Sequence, residues 1–322
     1  MAGQIPTLIA KRVGITILTM LIVATLVFFA SIILPGDAAE AIMGQFATAE
    51  TVEGLRQTMG LDQPLVVRYL DWLGGMLVGD PGLSLVTRAP VADIIASRMP
   101  NTLLLGGLTA AIAIPLALFV GISAAIWRGS IYDRLTSAMA VFAMSAPEFL
   151  IATLAVFFFS VKLGWLPALA NIGNASNFWE LLRVLAMPIG ALTFVIVAQT
   201  ARMTRAALLA ALQSSYVEMA TLKGASRLRV VLRHALPNAL GPILNSAALA
   251  LNSLLSGVIF VEIIFNYPGV AKLMVDAVST RDLPLVQACA MLFCAGYLFL
   301  VTIADIAAIL ANPRLRRAKG RH

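Results

Sequence analysis

Charged side chains are scarce in this chain. Asp, Glu, Lys and Arg together make up 12% of its 322 residues, against roughly 25% in a soluble globular domain. A chain so poor in charge cannot cover a water-facing surface, and its 60% apolar content places it in the integral membrane class. Cysteine is nearly absent as well. Cys289 and Cys294 lie five residues apart in an apolar run. They suit neither a disulfide framework nor a metal site and read as small packing residues. No Gly-Lys dipeptide occurs. A phosphate-cradling Gly-x-x-x-x-Gly-Lys-Ser/Thr loop is therefore missing, and the chain cannot burn ATP through one. No internal repeat relates the two halves, which speaks against an inverted-repeat secondary transporter. The net charge of +7 needs no nucleic acid, since basic loops on one side of a membrane account for it. Nothing in the sequence calls for a metal or another cofactor.

What is present is a set of apolar segments long enough to cross a bilayer as helices, at about 20 residues each. Six stand out, at 12–34, 102–126, 136–161, 184–204, 241–265 and 285–310. The first could be mistaken for a signal peptide, because Lys11 and Arg12 precede it and Ala39-Glu40-Ala41 resembles a cleavage site. Its uncharged run, Val13 to Leu34, is 22 residues long, against about 7–15 for a signal core, so it reads as an uncleaved first span. The fold expected is all-α, with six transmembrane helices.

Between the first two spans, 35–101 carries nine or more charges and cannot lie in lipid as a whole. Glu50 and Glu53, with Gly60 after them, predict one short helix there. Asp62 and Pro64 open a second, which ends before Gly79-Asp80-Pro81-Gly82. Six spans put both termini on one side. That side collects fifteen Lys and Arg, among them Lys11, Arg12, Arg128, Arg134, Arg202, Arg205 and Lys223. The short loops opposite hold four: Lys162, Arg183, Lys272 and Arg281. The termini and the 205–240 loop are thus expected in the cytoplasm, and 35–101 outside. Trp165 and Trp179 fit an interfacial aromatic belt on the outer side.

One polar, basic segment interrupts the oily sequence on the cytoplasmic side. Helix formers run from Tyr216 through Glu218 and Ala220 to Lys223, Gly224 permits a sharp turn, and a second helical run carries Arg227, Arg229, Arg233 and His234 to Leu236-Pro237. Helix, turn and helix form a knob that another protein can grip. The order Glu-x-Ala-x-x-x-Gly, then Leu-Pro, resembles the cytoplasmic coupling loop of ATP-binding-cassette importer permeases, with His234 standing where that pattern has isoleucine. His234-Ala235-Leu236-Pro237-Asn238-Ala239-Leu240 is similar to the loop exit of the dipeptide/oligopeptide/nickel permeases. So are Leu163-Gly164-Trp165-Leu166-Pro167, Val261 to Gly269, Arg281-Asp282-Leu283-Pro284-Leu285-Val286-Gln287 and Asn312-Pro313-Arg314 at their places in that family. Asp80-Pro81-Gly82-Leu83-Ser84 and Arg98-Met99-Pro100-Asn101-Thr102 resemble the end of the long external segment of one of its two paired subunits. The resemblance covers essentially the whole chain. It implies a permease subunit importing peptides or similar solutes, with a second permease, separate ATP-binding subunits and an external solute-binding protein, in a bacterial or archaeal cytoplasmic membrane. It also implies that Glu218, Ala220, Gly224, His234 and Pro237 couple the permease to the ATPase. The chain then divides into 1–101, a span with its external segment; 102–310, the permease domain; and 311–322, a basic cytoplasmic tail.

Polar residues inside spans are costly and therefore informative. Glu148 follows Pro147 in the third span and departs from the family, which has no fixed carboxylate there. It either lines the route and binds a solute amine or pairs with a neighbour near the membrane edge. Asn245, Asn252 and Ser256 share one face of the fifth span; Asn252 and Ser256 are assigned to the pathway and Asn245 to binding helices together. Asp305 is expected to pair with a basic residue at the cytoplasmic end. Two other classes remain as alternatives at this stage: an ion-coupled secondary transporter acting alone, with Glu148 and Asp305 as ion sites, and a non-transporting scaffold.

Overall fold

A computed structural model describes residues 4–33, 48, 50, 52–54, 62–174 and 176–311. The described residues are almost wholly helical, and their one β contact is an isolated bridge between Leu83 and Pro90. Helix α1 is Gln4–Ile33, α2 Leu65–Val78, α3 Val91–Ile126, α4 Ile131–Ser145 and α5 Glu148–Ala155, which continues as a π-helix over Val156–Lys162. Helix α6 is Phe178–Leu212 and α7 Ser215–Leu222. A short turn at Arg227–Arg229 and a π-helical stretch at Val230–Ala235 lead into α8, Leu236–Ile264; α9 is Val270–Ser279 and α10 Leu283–Ala311. Among the described residues, five helices are long and apolar enough to cross a membrane, and α4 with α5 makes a sixth candidate as a bent pair. The expected all-α membrane fold is what the chain forms. The predicted helix near Glu50 is helical at Glu50 and over 52–54, with the rest outside the described residues, as is the 312–322 tail.

The third span departs from expectation. Instead of one helix over 136–161, α4 and α5 meet at 108°. Pro147 has no N–H to donate and its ring pushes the preceding residue out of the helical region. Ala146 accordingly lies at φ −90°, ψ 133°, and Pro147 at φ −58°, ψ 140° caps α5. The fifth span departs in the opposite sense. The helix does not stop at Leu236-Pro237 but runs through it, and through Pro242. The wider turn of the π segment, where the Leu236 N–H reaches Val231 O, absorbs Pro237, which falls in the first turn of α8, where its missing N–H costs little. Helix α3 begins eleven residues earlier than its apolar run, directly after Pro90, and with 36 residues reaches about 54 Å, well beyond the ~30 Å hydrocarbon core.

The described chain forms two compact units. The first comprises residues 1–12, 104–267 and 299–322. Helices α6 and α8 pack along each other in it, around Leu185, Leu192, Ile196, Leu254, Phe265 and Tyr267. Where α3 meets α6, a Cβ on Gly121 would stand 2.6 Å from Ala201 O and 2.7 Å from Thr204 Cβ, so only glycine allows the approach. Asp305 forms the ion pair expected of it, with Arg12. Helix α8 ends in a Schellman turn, with Tyr267 N bonded to Glu262 O at 2.8 Å and Asn266 at φ +49°. The Tyr267 side chain is fully buried; burial, and then the charge of Glu262, push its phenol pKa upward.

The second unit comprises 13–103 and 268–298. Here short motifs that lie far apart in sequence meet. The Ser84 hydroxyl donates to Asp282 Oδ2, and Leu85 N–H donates to Asp282 Oδ1 at 3.0 Å. Asn101 Nδ2 donates to Pro268 O at 2.8 Å, and Thr102 Oγ1 accepts from Val270 N at 2.9 Å, holding the start of α9. Gln287 of α10 donates to Ser31 of α1 at 2.6 Å. The α2 helix starts after Pro64 and stops at left-handed Gly79, as predicted. Tyr69 and Trp72 on α2 pack against Phe28 of α1, and Tyr69 OH lies 2.8 Å from Thr25 Oγ1.

Candidate functional site: an exposed helical knob and a carboxylate at a broken span

The knob is built as its sequence suggests. Helix α7 spans two turns, too short to be stable alone in water. It is held by Val217, which is 2% exposed, and by its ends. At its C-terminus Ala225 N bonds to Ala220 O at 3.2 Å and Gly224 N to Thr221 O at 2.9 Å, the pair of bonds that defines a Schellman turn. Gly224 takes φ +81° with nothing within 4 Å of where a Cβ would stand. The glycine is thus required by backbone conformation and not by space. Ala220 supplies the accepting carbonyl of this turn.

The opposite face of the knob is open. Glu218 is exposed, and so are Tyr216, Met219, Leu222 and Leu228, with Leu222 at 75%. A cluster of large apolar groups beside a carboxylate, outside a membrane span, is the composition of a protein-docking surface. The knob is rooted through Val231, Ala235, Ala239 and Ile243, which bury against Ala125 of α3 and Leu208 of α6. His234 is half-buried, and its carbonyl accepts from Asn238 Nδ2 at 3.0 Å; Pro237 is exposed in the first turn of α8.

A second feature ties α4 to α6 near that root. Asp133, 4% exposed, accepts from Arg205 Nε at 2.5 Å and Nη2 at 2.9 Å, and from Gly129 N at 2.9 Å. Both carboxylate oxygens are satisfied in a bidentate geometry, which makes the buried pair tolerable. Sequence reading counted Arg205 only as a loop charge. The signal for Asp133 was present, however. Ser130 and Asp133 have the Ser-x-x-Asp spacing of a helix start, and Ser130 Oγ accepts from Asp133 N at 3.2 Å.

Glu148 sits in the first turn of α5, at the break in the third span. Its side chain enters a narrow cleft lined by Leu192 and Val195 of α6 and Ser253, Gly257 and Val261 of α8. Oε2 is buried without a hydrogen-bond partner, and no cation pairs with Glu148 among the described residues. The pairing with a neighbour that sequence alone left open has no partner there. The cleft exists because residue 257 is glycine: a Cβ would lie 3.0 Å from Glu148 Oε2 and 2.8 Å from Leu192 Cδ2.

Of the residues proposed to share the pathway, Asn252 is buried with Oδ1 unpaired, and Ser256 is exposed. Neither lines the Glu148 cleft; Ser253, which the one-face argument passed over, does. Asn245, expected to join helices, is exposed, and among the described residues it makes no hydrogen bond to another helix.

The chain matches two family models along most of its length. Residues 113–317 match the binding-protein-dependent transport system inner membrane component, and residues 6–106 match the N-terminal region of the same kind of component. It is 38% identical over 308 residues to glutathione transport system permease proteins of Shigella boydii and Escherichia coli, covering 96% of this chain and 98% of each relative. It is 40% identical over 311 residues, with the same coverage, to a putative peptide transport system permease protein of Brucella abortus.

Proposed function

The chain belongs to the family of binding-protein-dependent transport system inner membrane components, and from that premise we propose how its parts serve transport. It is a multi-pass inner-membrane permease subunit of an ATP-driven importer, and this leaves no role for the solitary ion-coupled transporter or the inert scaffold. The solute is a peptide or a peptide-like molecule such as glutathione. Energy comes from ATP hydrolysed on partner subunits, a second permease completes the route, and an external solute-binding protein delivers the cargo.

The observation that carries this reading is the knob. With Gly224 in a left-handed turn and Tyr216, Met219 and Leu222 exposed beside Glu218, a nucleotide-binding subunit has a rigid, partly apolar peg to hold. Movement of the peg reaches α3 and α6 through the Val231–Ala239 root. Glu148 is the residue assigned to the solute: an unpaired carboxylate at a helix break suits the ammonium end of a peptide. Asn252 and Ser256 are assigned to the same route. The distribution of Lys and Arg supports α7 and both termini in the cytoplasm and the 35–101 segment outside.

Cysteine chemistry on the assembled complex tests peg and orientation together. With Leu222→Cys, an amine- and thiol-reactive crosslinker should join this chain to a nucleotide-binding subunit in native membranes. An impermeant thiol reagent applied outside should label Thr87→Cys and spare Ser226→Cys. Labelling of Ser226→Cys from outside, or no crosslink from position 222, would refute the assignment.

A further inference from the structure

We propose that the groove between α3, α4 and α6 is a binding site for one acyl chain of an anionic phospholipid, with Arg202 holding the phosphate. The groove has a volume of about 370 Å³ and apolar walls that include Leu116, Val120, Met139, Phe194 and Val197. All of its lining residues lie within the first compact unit. The α3–α6 crossing at Gly121 abuts Ala201 and Thr204, and α4 is pinned to α6 by the Asp133–Arg205 pair. Both α3 and α4 are thereby tied to α6.

Length and charge select the occupant. From Gly190 to Arg205 the groove follows α6 for fifteen residues, or about 22 Å at 1.5 Å per residue, of which the stretch up to Ala201 takes about 16 Å. One leaflet of a ~30 Å hydrocarbon core is about 15 Å deep. An acyl chain of one leaflet therefore fits the stretch up to Ala201, with Arg202 and Arg205 following it along α6. The polar lining groups, Thr193 apart, are Thr136 and Ser137 early in α4 and Arg202 and Arg205 late in α6. Arg205 is committed to Asp133. Among the described residues Arg202 has no carboxylate partner, and its contact is a weak one from Nη1 to Met144 Sδ at 3.5 Å. An exposed guanidinium lining an apolar slot matches a lipid with a negative head group, and basic pockets between membrane helices bind such head groups. A soluble phosphate would leave the slot unfilled, and an apolar helix of a partner subunit would leave the guanidinium without an anion.

The test uses the assembled transporter, with its co-purifying subunits, in vesicles. Met139 is 55% exposed on the groove wall, so Met139→Trp places a fluorophore there, read as the increase over the parent protein. Brominated-chain phosphatidylglycerol should quench it more effectively than brominated-chain phosphatidylcholine, by roughly fivefold in lipid preference, the worth of about one basic residue near an anionic surface. Arg202→Gln should abolish the preference, Arg202→Lys should retain it, and added inorganic phosphate should leave it in place. Equal quenching by both lipids means ordinary lipid contact and overturns the proposal. Absence of quenching means that protein covers the groove and overturns it too. If Met139→Trp fails to assemble, Leu116→Trp on the facing wall reports the same quantity.

Discussion

Replacing Gly224 separates backbone strain from packing more cleanly than any other substitution in the knob. At φ +81° an L-residue pays about 1–2 kcal/mol for the left-handed conformation. No atom lies within 4 Å of the new Cβ, so that cost is not compounded by a clash. Helix α7 has eight residues and one buried apolar anchor, Val217, so it holds little surplus with which to absorb the strain. A penalty of that size shifts the equilibrium between the turned and unturned knob by roughly 5–30-fold. The effect should be graded by tolerance of positive φ: Gly224→Asn near the parent, Gly224→Ala intermediate, and Gly224→Val the worst, since β-branching makes positive φ a genuine outlier. The assay is solute uptake into cells or vesicles, with membrane abundance measured in parallel and solute-stimulated ATPase activity measured on the purified complex. Gly224→Val should cut uptake by about tenfold or more at unchanged abundance, and should uncouple ATPase activity from solute. Parental uptake by Gly224→Val, or equal loss in all three variants, would refute the link between this turn and coupling.

Three other outcomes follow from particular contacts. Gly121→Val drives side-chain atoms into Ala201 O and Thr204, so it should destabilise the α3–α6 crossing by about 1–3 kcal/mol or more and lower the thermal midpoint of the purified complex; an unchanged midpoint would show that α3 can move aside. Asp282→Ala leaves the Ser84 hydroxyl and the Leu85 N–H without their acceptor at a cost of about 1–3 kcal/mol, and a combined Ser84→Ala should cost less than the sum of the two single changes; strict additivity would mean the bond is not formed. Glu148→Gln should raise the transport KM for a peptide with a free ammonium group while leaving complex yield and basal ATPase activity near normal; unchanged KM with normal yield removes Glu148 from the solute route.

Helix ends were legible wherever proline or glycine writes them. Pro64 and Gly79 bracket α2, and Gly224 closes α7, as local chemistry requires. Two other stops have the same hydrogen-bond pattern without glycine: Asn266 at φ +49° after α8 and Arg281 at φ +57° after α9, where Asp282 N reaches Ala277 O at 2.9 Å. Asparagine is a weak signal for such a position and arginine is none, so these turns emerge only when tertiary contacts are seen. At 281 the reason is visible one residue on. Turning the chain there delivers Asp282 to Ser84 and Leu85, and those bonds offset a strained φ. The bend at Ala146-Pro147 could in principle be read from the proline, yet Pro115, Pro188 and Pro242 all sit inside continuous helices. Proline alone does not break a membrane helix when the freed carbonyl finds other partners.

The candidate sites divide along the same line between local and tertiary information. The knob depends on residues adjacent in sequence, so its helix and turn could be written down from Tyr216 to Gly224, whereas its exposed apolar face could not. Glu148 could be named from its cost in a span, but not its surroundings, because these come from α6 and α8. Helical periodicity placed Asn252 and Ser256 together, and the face that meets Glu148 is instead set by Gly257, the position at which α8 leaves room for a carboxylate. Four residues earlier, one helical turn away, Ser253 lines the same cleft. The relevant pattern was therefore a hydroxyl and a small residue at i and i+4 facing a break in another helix. Neither half of that pattern has meaning until Pro147 has turned the chain and brought Glu148 against α8.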